Sequence, residues 1–155
     1  LMKIKYFLST LIISLPLIFT GCGDKKSLPM QKLLHENGIR LNIPTNIKIE
    51  KTKNGFVVFP EGGRDIRSPL EVKISFENSD KLEGVYTKTK IVHDKTIHYQ
   101  IEENAGGSGG TGYLIKAWTS ASKGHIYIEQ LLQIEAPSEP DFDLFWTVVS
   151  GIEYW

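Results

Sequence analysis

Apolar residues run almost uninterrupted through the first 21 positions and then give way to short stretches in which apolar and polar positions alternate. Behind Lys3 and Lys5, residues 6–19 form a 14-residue run broken only by Ser9, Thr10, Ser14 and Pro16. A membrane-spanning helix needs roughly 20 apolar residues and a secretory signal core roughly 7 to 15, so this run reads as a signal peptide. Downstream, residues 30–35 predict one or two helical turns stopped by Asn37-Gly38. Ile39, Leu41 and Ile43 alternate up to Pro44, and Ile47 and Ile49 alternate again. Asn54-Gly55 then turns the chain into the apolar run Phe56, Val57, Val58 and Phe59, closed by Pro60, so two short strands are expected here. Residues 61–65 predict a surface loop.

The period-two signal is clearest from Leu70 onward: Leu70, Val72, Ile74 and Phe76 share one face, and Glu71, Lys73 and Ser75 the other. Residues 78–81 predict a turn. His93, Asp94, Lys95 and Thr96 predict a tight polar connection between strands at 85–91 and 97–101. A second hairpin joins residues 113–118 to residues 126–134 through a turn at 119–124, with Ile126, Ile128, Gln130, Leu132 and Ile134 on one face. Pro137 ends that strand. Ser138 is placed to cap a helix with Pro140 in its first turn, and Phe142, Phe145, Trp146 and Val149 make its apolar stripe. The fold class these elements predict is α+β, an antiparallel sheet of six to seven strands covered on one face by a C-terminal helix.

The end of the apolar leader changes the picture most. Phe19-Thr20-Gly21-Cys22 resembles the lipobox of bacterial lipoproteins, in which the cysteine becomes the first residue of the mature chain and carries acyl groups. Cys22 is the chain's one cysteine. A single acyl chain holds a protein to a bilayer only marginally and two or three hold it firmly, so stable anchoring is expected. The chain then divides into a signal peptide at 1–21, a lipidated tether at 22–29 and one periplasmic domain at 30–155. In that resemblance Gly23, in place of an Asp after the cysteine, favours the outer over the inner membrane.

Cleavage before Cys22 removes Lys3 and Lys5 and no acid, leaving 16 basic against 18 acidic side chains in 134 residues. That length suits one domain with a real core, and the charge balance gives nucleic acid no basic footprint. With Cys22 acylated no thiol remains for a disulfide or for catalysis.

Candidate chemistry is sparse. The stretch from Glu102 to Gly112 holds five glycines after Ala105 and predicts a long flexible hairpin connection. It is no phosphate loop, because that loop needs Gly-Lys-Ser/Thr leading into a helix and this one leads into a strand. Gly106, Ser108 and Gly110 satisfy the nucleophile-elbow spacing literally, but the elbow needs a strand before the serine and a helix after it. Glu102, Glu103, Asn104 and Ser108 carry oxygens without the alternate spacing of a calcium loop. His35, His93, His98 and His125 lack any metal-ligand spacing and are expected at the surface. Trp118, Trp146 and Trp155 are expected as core or domain-end anchors. No catalytic residue, metal or cofactor follows from this sequence, and no enzyme is expected.

Several fragments together look familiar: the acylated leader, residues 54–61, Arg67-Ser68-Pro69, Gly107 through Tyr113 followed by Lys116-Ala117-Trp118, and residues 139–146. They resemble the small periplasmic lipoprotein immunity proteins that accompany type VI secretion effectors attacking peptidoglycan, over roughly residues 40–150. The resemblance implies a stoichiometric inhibitor that occupies the substrate cleft of a cell-wall hydrolase and protects its producer. Its partners would be that effector and, through the anchor, a membrane. By loop position the partner-binding residues would be Glu102, Glu103, Asn104 and Ser108, followed by Thr111 and Tyr113. The alternative is an envelope-assembly lipoprotein that docks another envelope protein.

Overall fold

Strand pairing, and not helix propensity, decides the first element. A computed structural model describes residues 28–61, 71–78, 85–107 and 109–153. In it the segment expected to be helical is strand β1 (Met30–Leu34), antiparallel to β2 (Arg40–Pro44) with Met30 opposite Pro44 and Leu34 opposite Arg40. Asn37-Gly38, read from sequence as a helix stop, is instead the hairpin turn. Gly38 sits at φ 91°, the Asn37 side-chain oxygen accepts from the Ile39 N–H at 3.2 Å, and the His35 N–H donates to the Ile39 carbonyl at 2.8 Å. Leu41 and Ile43 are fully buried, so pairing with β2 gives the segment a core contact that one helical turn would not have.

The remaining strands are β3 (Ile47–Thr52), β4 (Gly55–Pro60), β5 (Val72–Glu77), β6 (Lys88–Val92), β7 (Lys95–Ala105), β8 (Thr111–Ala121), β9 (Gly124–Gln130) and β10 (Ile134–Ala136). They form an eight-stranded antiparallel sheet in the order β3-β4-β5-β9-β8-β7-β6, with β10 paired to β8. Helix α1 (Asp143–Gly151) and the short β11 (Ile152–Glu153) close the described chain, and β11 pairs with β2 to give a second sheet in the order β1-β2-β11. The architecture is thus α+β with one C-terminal helix, but it holds two sheets where one of six to seven strands was expected. The core lies between the large sheet and the layer made by α1 and the small sheet. Ile74, Ile97, Ile115, Ile126 and Ile128 meet Leu41, Ile43, Phe145 and Val148 there.

Two glycines fit close approaches that a side chain would block. A Cβ on Gly55 would lie 2.0 Å from the Ile74 carbonyl oxygen, where β4 meets β5, and one on Gly151 would lie 2.4 Å from the Asn42 oxygen, where α1 ends on β2. The β6–β7 turn is made by His93 and Asp94 at φ 46° and 64°, the two-residue geometry whose twist matches the flanking strands.

The helix starts five residues after the expected cap. Pro140 disfavours helical backbone at Glu139 and so keeps the cap signature at Ser138 from nucleating a turn. The residue before the helix is Phe142, left-handed at φ 53° and ψ 41°, with no side-chain cap bond. Such a conformation is unfavourable for an aromatic residue; here the ring is buried in the core, and packing prevails over capping.

Histidine placement differs at one position from the surface expectation. His35 is buried, edge-on to Phe56 with ring centroids 5.4 Å apart. Its Nε2 donates to the Thr52 carbonyl at 2.9 Å and its Nδ1 accepts from the Asn37 N–H at 3.3 Å, a pair of bonds that specifies the neutral Nε2–H tautomer. The leader, Cys22 and the tether through residue 27, Ser108, Trp155, and most of the 61–65 loop and the 78–81 turn lie outside the described residues.

Candidate protein-binding site

The glycine-rich connection is shorter and firmer than its composition suggests. β7 and β8 stay in register from His98 opposite Trp118 to Ala105 opposite Thr111, which leaves only residues 106–110 as the connection. Its backbone is tied within itself, the Gly106 N–H donating to the Gly110 carbonyl at 2.8 Å and the Gly109 N–H to the Gly106 carbonyl at 3.2 Å. The Gly107 N–H donates to Glu135 Oε1 at 2.6 Å, which fastens the tip to β10. The expected long connection is thus a five-residue hairpin end, hydrogen-bonded at Gly106, Gly107 and Gly109.

Because Glu102, Glu103 and Asn104 belong to β7, they alternate in direction and do not converge. Glu102 faces the side of the sheet away from the helix, where it accepts from Gln100 Nε2 at 2.7 Å and pairs with Lys116 Nζ at 3.1 Å. Glu103 stands opposite Tyr113, and Asn104 opposite Gly112; both side chains are exposed near the tip. Thr111 is half-buried between Ala105 and Ala136. Tyr113 is buried in the core, so its ring serves packing and is not offered to a partner. Among the six residues expected at the site, Glu103 and Asn104 are the ones the fold presents openly beside the tip, and Ser108 lies outside the described residues.

Sequence reasoning missed the neighbour of this tip. Four residues separate Glu129 on β9 from Ile134 on β10, yet their β8 partners Lys116 and Tyr113 are separated by two. The surplus makes a bulge at Leu131 and Leu132; both leucines are exposed, and Leu132 does not continue the Ile126 face as expected. Gln130 holds the bulge from inside: it is 3 % exposed, and its Nε2 reaches the Leu132 carbonyl at 2.5 Å and the Tyr113 carbonyl at 3.5 Å. The Leu131 N–H donates to the Glu71 carbonyl at 2.9 Å. The signal available in the sequence was the pair Leu131-Leu132, which breaks the alternation.

The face of the large sheet opposite the helix carries two rows of paired side chains. In one, Trp118 is stacked on His98 (centroids 4.2 Å apart, planes at 8°) and meets His125 edge-on at 5.2 Å and Tyr86 at 6.4 Å. Trp118 therefore anchors this second face and not the core, contrary to expectation, whereas Trp146 on α1 packs edge-on against Tyr99 and Phe145 as expected. In the other row Lys73 pairs with Glu129 at 3.0 Å, Glu129 lies opposite Lys116, and Lys116 pairs with Glu102. Burial, followed by the negative surroundings of Tyr127, Glu129, Glu102 and Glu77, raises the Tyr86 phenol above its ordinary range. Among the described residues no three His, Cys, Asp or Glu side chains gather as a metal site. What the surface offers is recognition: a hydrogen-bonded hairpin end, two displayed leucines, aromatic planes and paired charges.

The model of the type six secretion immunity 3 domain matches residues 40–153, from the start of β2 to the end of β11. The chain belongs to that immunity family. It is also 26% identical over 139 residues to the immune protein Tsi3 of Pseudomonas aeruginosa, an alignment covering 89% of this chain and 92% of that relative. As a type VI secretion immunity protein it has a toxin as its partner, and its work is to bind and inhibit that toxin. The matched span holds the whole large sheet, the β7–β8 tip and the bulge, whereas β1 precedes it.

Proposed function

We propose that this immunity protein is held by lipid at the periplasmic face of the envelope, on the outer membrane, and inhibits a cell-wall-degrading toxin by covering its substrate cleft with the β7–β8 hairpin end. The family match over residues 40–153 carries the reading, since it makes a toxin the partner and binding the mechanism. The cleft-covering part is supported by the hairpin geometry. A tip fastened through Gly107 and Glu135 enters a cleft with little conformational freedom left to lose, and Glu103 and Asn104 beside it meet polar or basic groups that otherwise hold substrate. The anchored position is supported by the lipobox resemblance ending at Cys22, which would keep the inhibitor in the compartment where an incoming wall hydrolase acts.

The test is protection in cells. The cognate toxin is exported to the periplasm of a sensitive strain with wild-type protein or with the pair Glu103→Lys and Asn104→Lys. Wild type restores growth and the double variant, folded by circular dichroism, does not. Equal protection by both would move the interface away from the hairpin end.

A further inference from the structure

We propose that the outward face of β1 is a membrane-contact surface, seated on the bilayer that holds the chain's own lipid anchor. The inference rests on the acylation of Cys22 argued above and is independent of which toxin is bound. Met30, Lys32 and Leu34 share the outer face of β1, while Gln31 and Leu33 turn inward. Leu28, Met30 and Leu34 are each 53% exposed. Their exposure is set by register. Gln31 Nε2 donates to the carbonyls of Pro44 at 3.1 Å and Ile47 at 2.5 Å, and Leu33 packs against the core, so the apolar outer side chains cannot turn inward without slipping the whole strand.

Chain length supplies the occupant. Residues 23–27 are all that lie between Cys22 and Leu28. A fully extended residue spans at most about 3.6 Å, so whatever path the tether takes, Leu28 stays within about 20 Å of the anchored cysteine. The edge of the domain that begins at Leu28 is therefore the edge held against the lipid. Lys32, also 4.0 Å from Glu153, lies between Met30 and Leu34 on the face, and the tether sequence carries Lys25 and Lys26. That mixture suits a layer of acidic headgroups over acyl chains. β1 precedes the residues that the immunity-family model matches.

The test uses the full chain, processed and reconstituted into phosphatidylethanolamine and phosphatidylglycerol vesicles. Acylation blocks Cys22, so a single introduced cysteine (Met30→Cys, Leu34→Cys or, as a control on the large sheet, Ile91→Cys) takes one environment-sensitive dye. The expected result is an intact mass carrying the acyl groups, with quenching by headgroup nitroxide several-fold greater at positions 30 and 34 than at 91. An acylated chain quenched alike at all three positions overturns the contact and leaves the anchor standing. A mature chain without the acyl mass overturns both. Dyes at 30 and 34 that become shielded in detergent as protein concentration rises would assign the face to a second copy, which also overturns the proposal.

Discussion

The Gly107 N–H is held by Glu135 at 2.6 Å, a contact that joins the tip of the β7–β8 hairpin to the strand following the Leu131-Leu132 bulge. This bond is a side-chain tie on a connection whose backbone also closes on itself. Glu135→Ala removes it and leaves Gly106 to Gly110 free to sample glycine's wide backbone range. Stability is expected to fall by about 1 kcal/mol, and toxin affinity by about fivefold from the added ordering cost. Hydrogen exchange at the tip amides, with calorimetric binding, checks it; unchanged exchange would mean the backbone bonds suffice.

The buried Gln130 amide reaches two carbonyls beside the bulge, those of Leu132 and Tyr113. Replacing it with Leu keeps the volume and supplies no donor. Gln130→Leu is expected to lose about 1–3 kcal/mol, the cost of leaving buried acceptors unsatisfied, although the change increases hydrophobicity. The urea midpoint reports it. A variant as stable as wild type would show that the leucine bulge closes without the amide.

At Gly55 the argument is steric. The Ile74 carbonyl oxygen occupies the place a Cβ would take, and both atoms belong to paired backbone, so neither strand yields cheaply. Gly55→Ala should cost about 3 kcal/mol through forced separation of β4 and β5. Thermal unfolding of the variant measures it.

Alkaline pH separates two partly buried ionisable groups by sign. Tyr86 has its phenol pushed up by burial and by nearby Tyr127 and the carboxylates of Glu129, Glu102 and Glu77, so the folded state holds that proton longer than the unfolded state. Its contribution is fully present below the ordinary tyrosine value of about 10 and is lost as pH rises through the folded value. Lys95 has its ammonium pushed down by burial, so its penalty is fully present below the folded value and is relieved as pH rises to the ordinary lysine value. Tyr86→Phe should therefore flatten the alkaline loss of stability and remove a component of the tyrosinate absorbance that titrates above the ordinary tyrosine value. A midpoint at the free tyrosine value for that component would refute the placement of Tyr86 against Trp118.

What the sequence disclosed and what it withheld follow from the range of the forces involved. The Leu41 and Ile43 alternation and the Val72 to Phe76 strand were readable because periodicity is local, and the turn expected at Asn54-Gly55 falls one residue earlier, at Lys53-Asn54, with Gly55 already paired to Thr52. The strand at Met30 was not, because its pairing with Arg40 to Pro44 is what stabilises it. The helix start was misplaced for the same reason: burial of Phe142 in the core outweighs a cap signature at Ser138. At the candidate site, the hairpin position was legible in the glycine run, while the tie of Gly107 to Glu135, 28 residues away in sequence, was not. The His98 and Trp118 stack was hidden because it requires the register of β7 on β8.

That register also sets up the last prediction, a charge exchange on the outer face of the sheet. Lys116 pairs with Glu102 and lies opposite Glu129, which in turn pairs with Lys73, so the row alternates in sign across four strands. Each pair is partly solvated, and deleting one partner, as in Lys116→Ala, should change stability by about 1 kcal/mol or less. Lys116→Glu is different in kind, because it sets three carboxylates side by side and repulsion adds to the lost attraction. Adding Glu102→Lys to Lys116→Glu restores the pair and still leaves position 116 facing Glu129, so rescue should be partial. Adding Glu129→Lys and Lys73→Glu as well re-establishes alternation across the row and should bring stability back to within about 0.5 kcal/mol of wild type, a recovery that shrinks as salt is raised. Urea midpoints at low and high salt measure the whole series. If the four-residue exchange is no more stable than Lys116→Glu alone, the row is a set of independent surface contacts and not a coupled ladder.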